Sequence, residues 1–314
     1  MNLLLVGGTG RSGTSLVYYR MILNDEVQGD KDFESMIFTK NNSLIDVYDV
    51  YINSYSPERL HHVCNRFKRQ VYTKFSTKLP RHRLLRVQKI LLPTRASEKV
   101  LPFERLVSVL DEFIQGLHDD RTAERPLLEC FQIRSKILLE ALFEFHADAH
   151  NILLEKTPHN VLVFHRIKKI FPHAKLLHIV RDPRAVAESV VRQNWGASSY
   201  KEAVDWVRLI LDTWIMQYNK KEFDLSSCRC IRAEDLVTQY EQKENLIRQF
   251  TGEKLEKLTL KANPEALDWW RENISSDELD YATDTLKEIM QFFSYSPDIF
   301  NSTEQSLTTT FDKV

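Results

Sequence analysis

The 314-residue sequence predicts an α/β fold, a parallel β-sheet flanked by helices. Four short apolar runs, at residues 3–6, 152–154, 176–180 and 230–232, have strand length and are separated by longer helix-like stretches, the rhythm of βαβ crossovers. Residues 3–6 read Leu-Leu-Leu-Val, a near-continuous apolar run that suits a strand covered on both faces. The first run also leads directly into a glycine-rich turn and then a helix-compatible stretch, which is the order of a phosphate-binding α/β unit.

That turn is Gly7-Gly8-Thr9-Gly10-Arg11-Ser12-Gly13-Thr14-Ser15-Leu16. Glycines let backbone N–H groups converge on an anion, and the helix that follows adds unsatisfied donors and a favourable dipole. Counted from Gly8 the spacing is that of a P-loop, but Thr14 stands where a nucleotide triphosphatase has Lys. The γ-phosphate and Mg²⁺ of ATP or GTP lose their usual holder, and Arg11 supplies a cation from within the loop instead.

Further along, residues 133–145 place Ile133, Ile137, Leu138, Ala141, Leu142 and Phe145 at helical spacing, and one amphipathic helix is expected there. Residues 152–154 lead into Glu155-Lys156-Thr157-Pro158-His159-Asn160, at a strand end, where α/β sheets face their ligands. Residues 176–180 end in Arg181-Asp182-Pro183-Arg184-Ala185-Val186-Ala187-Glu188-Ser189. Arg181 offers a planar fork suited to phosphate oxygens, and Ser189 adds a hydroxyl from the adjoining helix. Asp182 before Pro183 reads as the cap of that helix.

These three motifs resemble the sulfotransferase family. The loop is similar to the 5′-phosphosulfate loop, especially the Arg-Ser-Gly-Thr form of tyrosylprotein sulfotransferases and related bacterial enzymes. The Arg-Asp-Pro-Arg segment with its Ser resembles the family's 3′-phosphate site, and Glu-Lys-Thr-Pro resembles the turn whose Lys reaches the transferring group. The resemblance runs from Leu3 to about Tyr295 and includes Glu234-Asp235-Leu236-Val237 and a Trp-Arg-Glu-Asn region at residues 270–273. It departs at Ala233, where Tyr is common, and at Gln193, where Arg is common and Arg192 lies one position early. What holds the adenine is therefore left open.

The resemblance implies a P-loop-type sheet with a helical insertion and a helical C-terminal region, in one domain over residues 1–314. It implies sulfuryl transfer from 3′-phosphoadenosine 5′-phosphosulfate to a hydroxyl acceptor, leaving 3′,5′-adenosine bisphosphate, with no metal. Gly10, Arg11, Ser12, Gly13, Thr14, Ser15, Arg181 and Ser189 are the donor-binding candidates; Lys156 and Arg11 are the candidates for neutralising charge on the leaving phosphate. Glu34 is the candidate base, because the family places an acid just after the first helix. Asp30 and Asp32 are close by, the stretch before Glu34 is two residues longer than in the tyrosylprotein pattern, and His159 is a rival base. A carbohydrate or other alcohol is favoured over protein tyrosine as acceptor. The alternatives are a P-loop kinase or nucleotide hydrolase, and a non-catalytic nucleotide-binding scaffold.

The formal net charge of −1 conceals two opposed excesses. Residues 59–95 hold eleven Lys or Arg, three His and no acid, whereas residues 264–298 carry nine acids against two bases. The basic stretch, within a helical insertion expected at about 40–130 on the acceptor side, fits either a solvated face paired with the acidic tail or a groove wall that attracts an acidic acceptor. No nucleic-acid motif accompanies it, so nucleic acid is not expected as a partner. The cysteines, Cys64, Cys130, Cys228 and Cys230, have no second pair or His cluster to complete a zinc site and are expected as reduced, mostly buried thiols of a cytoplasmic protein. No apolar run approaches the roughly 20 residues that cross a bilayer, and a strand starting at Asn2 leaves no room for a signal peptide. Residues 302–314 are expected to be a flexible tail.

Overall fold

The computed structural model of the chain describes residues 1–29, 34–75, 102–147, 150–252, 267 and 269–297. Strand β1 (Asn2–Gly8) is followed by helix α1 (Thr14–Met21) and strand β2 (Val27–Gly29). Next come α2 (Leu44–Asn53), α3 (Pro57–Phe75), α4 (Phe103–Thr122) and α5 (Leu127–Leu142). Strand β3 (Ile152–Lys156), α6 (Asn160–Ile170), β4 (Lys175–Val180), α7 (Pro183–Val191), α8 (Tyr200–Asn219) and β5 (Cys228–Arg232) complete the alternating core. The chain continues through α9 (Asp235–Thr238), α10 (Tyr240–Thr251), α11 (Ser276–Thr285) and α12 (Lys287–Phe292).

The five strands form one parallel sheet in the order β2-β3-β1-β4-β5. Successive residues of β1 enter different cores: Leu3 and Leu5 join the large cluster on one face, Leu4 and Val6 the smaller cluster on the other. This two-sided burial is why the strand sequences lack polar alternation. Val17, Tyr18 and Met21 of α1 and Ile247 of α10 cover the smaller face, and α2 to α8 contribute to the larger.

All four expected strands form. The fifth, β2, is only three residues long and carries no apolar run: Val27 is buried, and at Gly29 a Cβ would meet the Leu154 carbonyl oxygen at 2.5 Å and the Tyr18 hydroxyl at 2.8 Å. The helix expected around residues 133–145 exists as α5, and Leu138 and Leu142 are buried as expected, but the buried face is turned away from Ile133 and Ile137. Phe131, Ser135, Leu138, Leu139 and Leu142 point inward, while Ile133 and Ile137 are 51% and 57% exposed. At about 100° per residue Ile133 sits about 200° around the helix from Phe131, so the packing of α5 on α4 and α6 turns it outward. Ala141 is half-buried, and Phe145 is buried beyond the helix end.

The described part of the expected insertion is helical, α2 to α5, and residues 76–101 lie outside the described residues, as does the expected tail at 302–314. Lys68 of the basic stretch pairs with Asp111 of α4, whereas α11 in the acidic C-terminal region packs on α7 and α8. Of the four free cysteines only Cys64 is buried, its thiol pushed up to about 12 by desolvation. The other three are half-buried, Cys228 and Cys230 on the edge strand β5 and Cys130 in the first turn of α5. No described helix is long and apolar enough to cross a membrane.

Behind β4, Trp214 of α8 is 0% exposed. Its ring lies 4.5 Å from that of His178, 5.2 Å from Tyr218 and 5.9 Å from Phe293. His178, wholly buried, has its pKa pushed down to about 3 and is neutral. Trp214→Ala is expected to cost about 3–5 kcal/mol, read as a shift of the urea midpoint at unchanged slope.

Candidate active site

The carboxyl ends of β1, β3, β4 and β5 deliver polar groups to one edge of the sheet, where the order reverses around β1. Register places them: Val6 pairs with Lys156, Gly8 with Ile179 and Val180 with Arg232, so the loop after β1 lies between the turns after β3 and β4. The Gly8 N–H donates to the Pro158 carbonyl oxygen at 2.8 Å, tying that loop to the Glu-Lys-Thr-Pro turn. A Cβ on Gly8 would collide with the Ile179 carbonyl oxygen and Ser12 Oγ, and Gly13 at φ 94° caps α1 in the left-handed region. Gly13 adds no side-chain cap, so the start of α1 is shaped for an external anion.

Two guanidiniums converge here. Arg11 Nε donates to Ser189 Oγ at 3.0 Å, joining the loop to α7 across 178 residues. The Arg11 pKa is lowered, first by burial and then by the charge of Arg181. Cations held together in a partly desolvated place favour an anion between them.

The turn that presents Arg181 is built from buried polar contacts. Asp182 caps α7 by accepting from the Arg184 N–H at 3.0 Å, with Pro183 in the first turn, as the sequence predicts. Arg184, 1% exposed, answers Asp182 through Nη2 at 2.7 Å and donates to the carbonyl oxygens of Ser296 and Pro297, both at 3.0 Å. Glu234 accepts from the Asp182 N–H at 2.9 Å and from the Tyr295 hydroxyl at 2.8 Å. Burial raises the pKa of Glu234 despite these donors.

At the end of β3, Lys156 is 8% exposed, and its Nζ lies 3.1 Å from Glu34 Oε1 and 3.5 Å from Ser15 Oγ. One ammonium thus links the phosphate loop to the acid beyond α1. Asp30 and Asp32 lie outside the described residues. His159 is half-buried with its ring 5.8 Å from that of Trp206; burial lowers its pKa and the Glu34 charge partly restores it.

Glu155 is the functional neighbour that motif reasoning left without a role. Its wholly buried carboxylate accepts from Ser35 Oγ and Thr157 Oγ1, both at 2.6 Å, and from Asn160 Nδ2. Thr157 Oγ1 in turn accepts from the Met36 N–H at 3.1 Å. Glu34, Ser35 and Met36 are therefore bolted to the end of β3, although desolvation raises the Glu155 pKa. The signal was present: a carboxylate inside an otherwise apolar strand needs partners.

The sequence profile described as the Sulfotransferase family matches residues 4–257. The chain belongs to the sulfotransferase family. Among solved structures, the sulfotransferase domain of the olefin synthase from Synechococcus PCC 7002 superposes with a TM-score of 0.50 at 16% identity, covering 94% of each chain. The sulfotransferase domain from the curacin biosynthetic pathway gives 0.48 at 12% identity, covering 95% of this chain and 98% of that one. Sulfotransferase STF9 from Mycobacterium avium gives 0.46 at 13% identity, covering 94% of this chain and 78% of that one. At such identities the likeness concerns the fold. No curated protein matches in sequence.

Two departures from the common sulfotransferase pattern have local consequences. Ala233 lies where a Cβ on Gly13 would meet its own Cβ at 3.6 Å, so a small residue stands against the back of the loop. Gln193 Nε2 donates to the Ser189 carbonyl oxygen at 3.0 Å, while Arg192 pairs with Glu188 and lies 4.0 Å from the Trp269 ring centroid.

Proposed function

We propose that this sulfotransferase uses 3′-phosphoadenosine 5′-phosphosulfate and sulfates a hydroxyl of a carbohydrate or other alcohol rather than a protein tyrosine. The observation that supports it most is the position of Lys156, in contact with both the phosphate loop at Ser15 and the Glu34 carboxylate. The residues present fit a bisphosphate donor: a glycine loop opening α1, and Arg11 and Arg181 close enough to repel. When bound, the donor supplies an activated sulfuryl group with a phosphate as its leaving group.

In this reading the 10–15 loop holds the 5′ side through backbone N–H groups and the Thr14 and Ser15 hydroxyls. Arg181 and Ser189 hold the 3′-phosphate, and the Arg11 to Ser189 hydrogen bond keeps the two halves in register. Lys156 and Arg11 place fixed positive charge where negative charge grows on the bridging oxygen. Glu34, held by the Ser35 and Met36 anchors, receives the acceptor's proton. Arginine and lysine take the charge-neutralising role that Mg²⁺ has in kinases, in line with Thr14 replacing the P-loop Lys.

Calorimetry with 3′,5′-adenosine bisphosphate, against ATP plus Mg²⁺, tests the donor. Metal-independent binding of the bisphosphate is expected, weakened in Arg181→Ala by about 1.5–3 kcal/mol, the range for hydrogen bonds to charged groups. Preference for Mg-ATP, or binding of neither, overturns the reading in favour of a kinase or a scaffold.

A further inference from the structure

The donor reading proposed above assigns partners to both phosphates of the nucleotide and none to its base; the inference drawn from that gap rests on the same reading. Ala233, against the back of the loop at Gly13, offers no ring to a base. On the other side of the loop, Arg11 Nε donates to Ser189 Oγ at 3.0 Å, and Arg192 follows Ser189 by one helical turn at the end of α7. The Arg192 guanidinium is anchored by Glu188, whose side chain is 7% exposed. It lies 4.0 Å from the ring centroid of Trp269. Loop, Ser189, Arg192 and Trp269 thus form one continuous path along α7.

Trp269 and Trp270 share a single 3₁₀ turn, Trp269–Asn273, in which Asn273 Nδ2 donates to the Trp269 carbonyl oxygen at 2.7 Å. Their rings differ in burial. Trp270 is 2% exposed, with the buried Arg184 guanidinium 5.5 Å from its centroid, and it is the ring that fastens the turn to α7. Trp269 keeps 37% of its surface open, although Arg192 fixes its position. A half-open indole held by an anchored guanidinium is a stacking surface for a planar heteroaromatic ring. The base and the 3′-phosphate of the donor hang from the same ribose. With that phosphate at Arg181 and Ser189, a ring about one helical turn away, roughly 5.4 Å, is within the reach of the base. We propose that Trp269, held by Arg192, is the surface on which the adenine of the donor stacks, and that it makes the site prefer a nucleotide to a bare bisphosphate.

Calorimetry tests this by comparing 3′,5′-adenosine bisphosphate with methyl β-D-ribofuranoside 3,5-bisphosphate, which keeps both phosphates and lacks the base. Trp269→Ala is expected to weaken the adenosine ligand about five- to hundredfold, the range for loss of one base-stacking ring, and to leave the abasic ligand within about twofold. Trp269→Phe keeps an aromatic face and is expected to lose no more than about threefold. Trp195→Ala, which removes a more exposed indole three residues beyond Arg192, is expected to leave both affinities unchanged. The adenosine ligand is expected to quench tryptophan emission where the abasic ligand does not, and Trp269→Phe to abolish that quenching. Equal affinity of the full chain for the two ligands, an equal loss of both in Trp269→Ala, full retention of adenosine binding in Trp269→Ala, or a loss that follows Trp195 instead overturns the proposal and leaves the donor reading standing. Binding of neither ligand overturns the donor reading, and this proposal with it.

Discussion

Glu34→Gln is expected to lower kcat by about 10²–10⁴, the usual contribution of a general base, with binding of 3′,5′-adenosine bisphosphate retained. Gln keeps the shape and can still accept a hydrogen bond from Lys156, so the contact at 3.1 Å survives while the proton acceptor is lost. Nor should the fold suffer, since Ser35, Thr157 and Asn160 bind Glu155 and not Glu34. The measurement is single-turnover transfer from labelled donor to an acceptor alcohol, with the thermal midpoint recorded beside it. An unchanged rate would move the base to His159, whose pKa burial lowers and the Glu34 charge partly restores, or to an acid within residues 30–33. His159→Asn then decides between them.

Lys156→Met is expected to lower kcat by about 10²–10³, as loss of one preorganised donor to a developing charge does elsewhere. The magnitudes separate catalysis from stability here. Glu34 is 33% exposed on its side chain, so water takes over the carboxylate when Lys156 is gone, and the ion pair is worth about 0–1 kcal/mol to the fold. Met fills the volume of the Lys stem. The thermal midpoint should therefore move little while turnover collapses. A large fall in both would make Lys156 a structural residue and leave Arg11 to carry the leaving-group role.

Both variants act at a place assembled from separate sequence segments. Lys156 was recognisable within Glu-Lys-Thr-Pro at a strand end, and Arg11 within a glycine loop, because each belongs to a contiguous motif whose chemistry is local. The contact of Arg11 with Ser189 was not, since it spans 178 residues and depends on β1 and β4 being neighbours. Nor was the docking of Gln70 of α3 on the Met36 carbonyl oxygen, two residues beyond Glu34. The basic stretch read as one block of charge; the fold divides it, giving Lys68 to Asp111, turning Arg66 and Arg69 to solvent and leaving Lys74 half-buried.

What the sequence determined by itself is the α/β class, four of the five strands, the glycine turn that opens α1 and the family, all of which follow from short-range pattern: apolar runs of strand length, glycines where backbone packs closely, and a cap before Pro183. Tertiary structure alone decided the rest. The inward face of α5 was settled by its neighbours, because Ile133 and Ile137 are as apolar as the buried Leu138 and Leu142, and only packing on α4 and α6 buries Ser135 in their place. β2 exists because β3 supplies its hydrogen-bond partners, with no help from side-chain burial at Gly29. The role of Glu155 likewise arises from burial, which makes a carboxylate costly unless Ser35, Thr157 and Asn160 are brought to it, and those donors then fix the segment that carries Glu34.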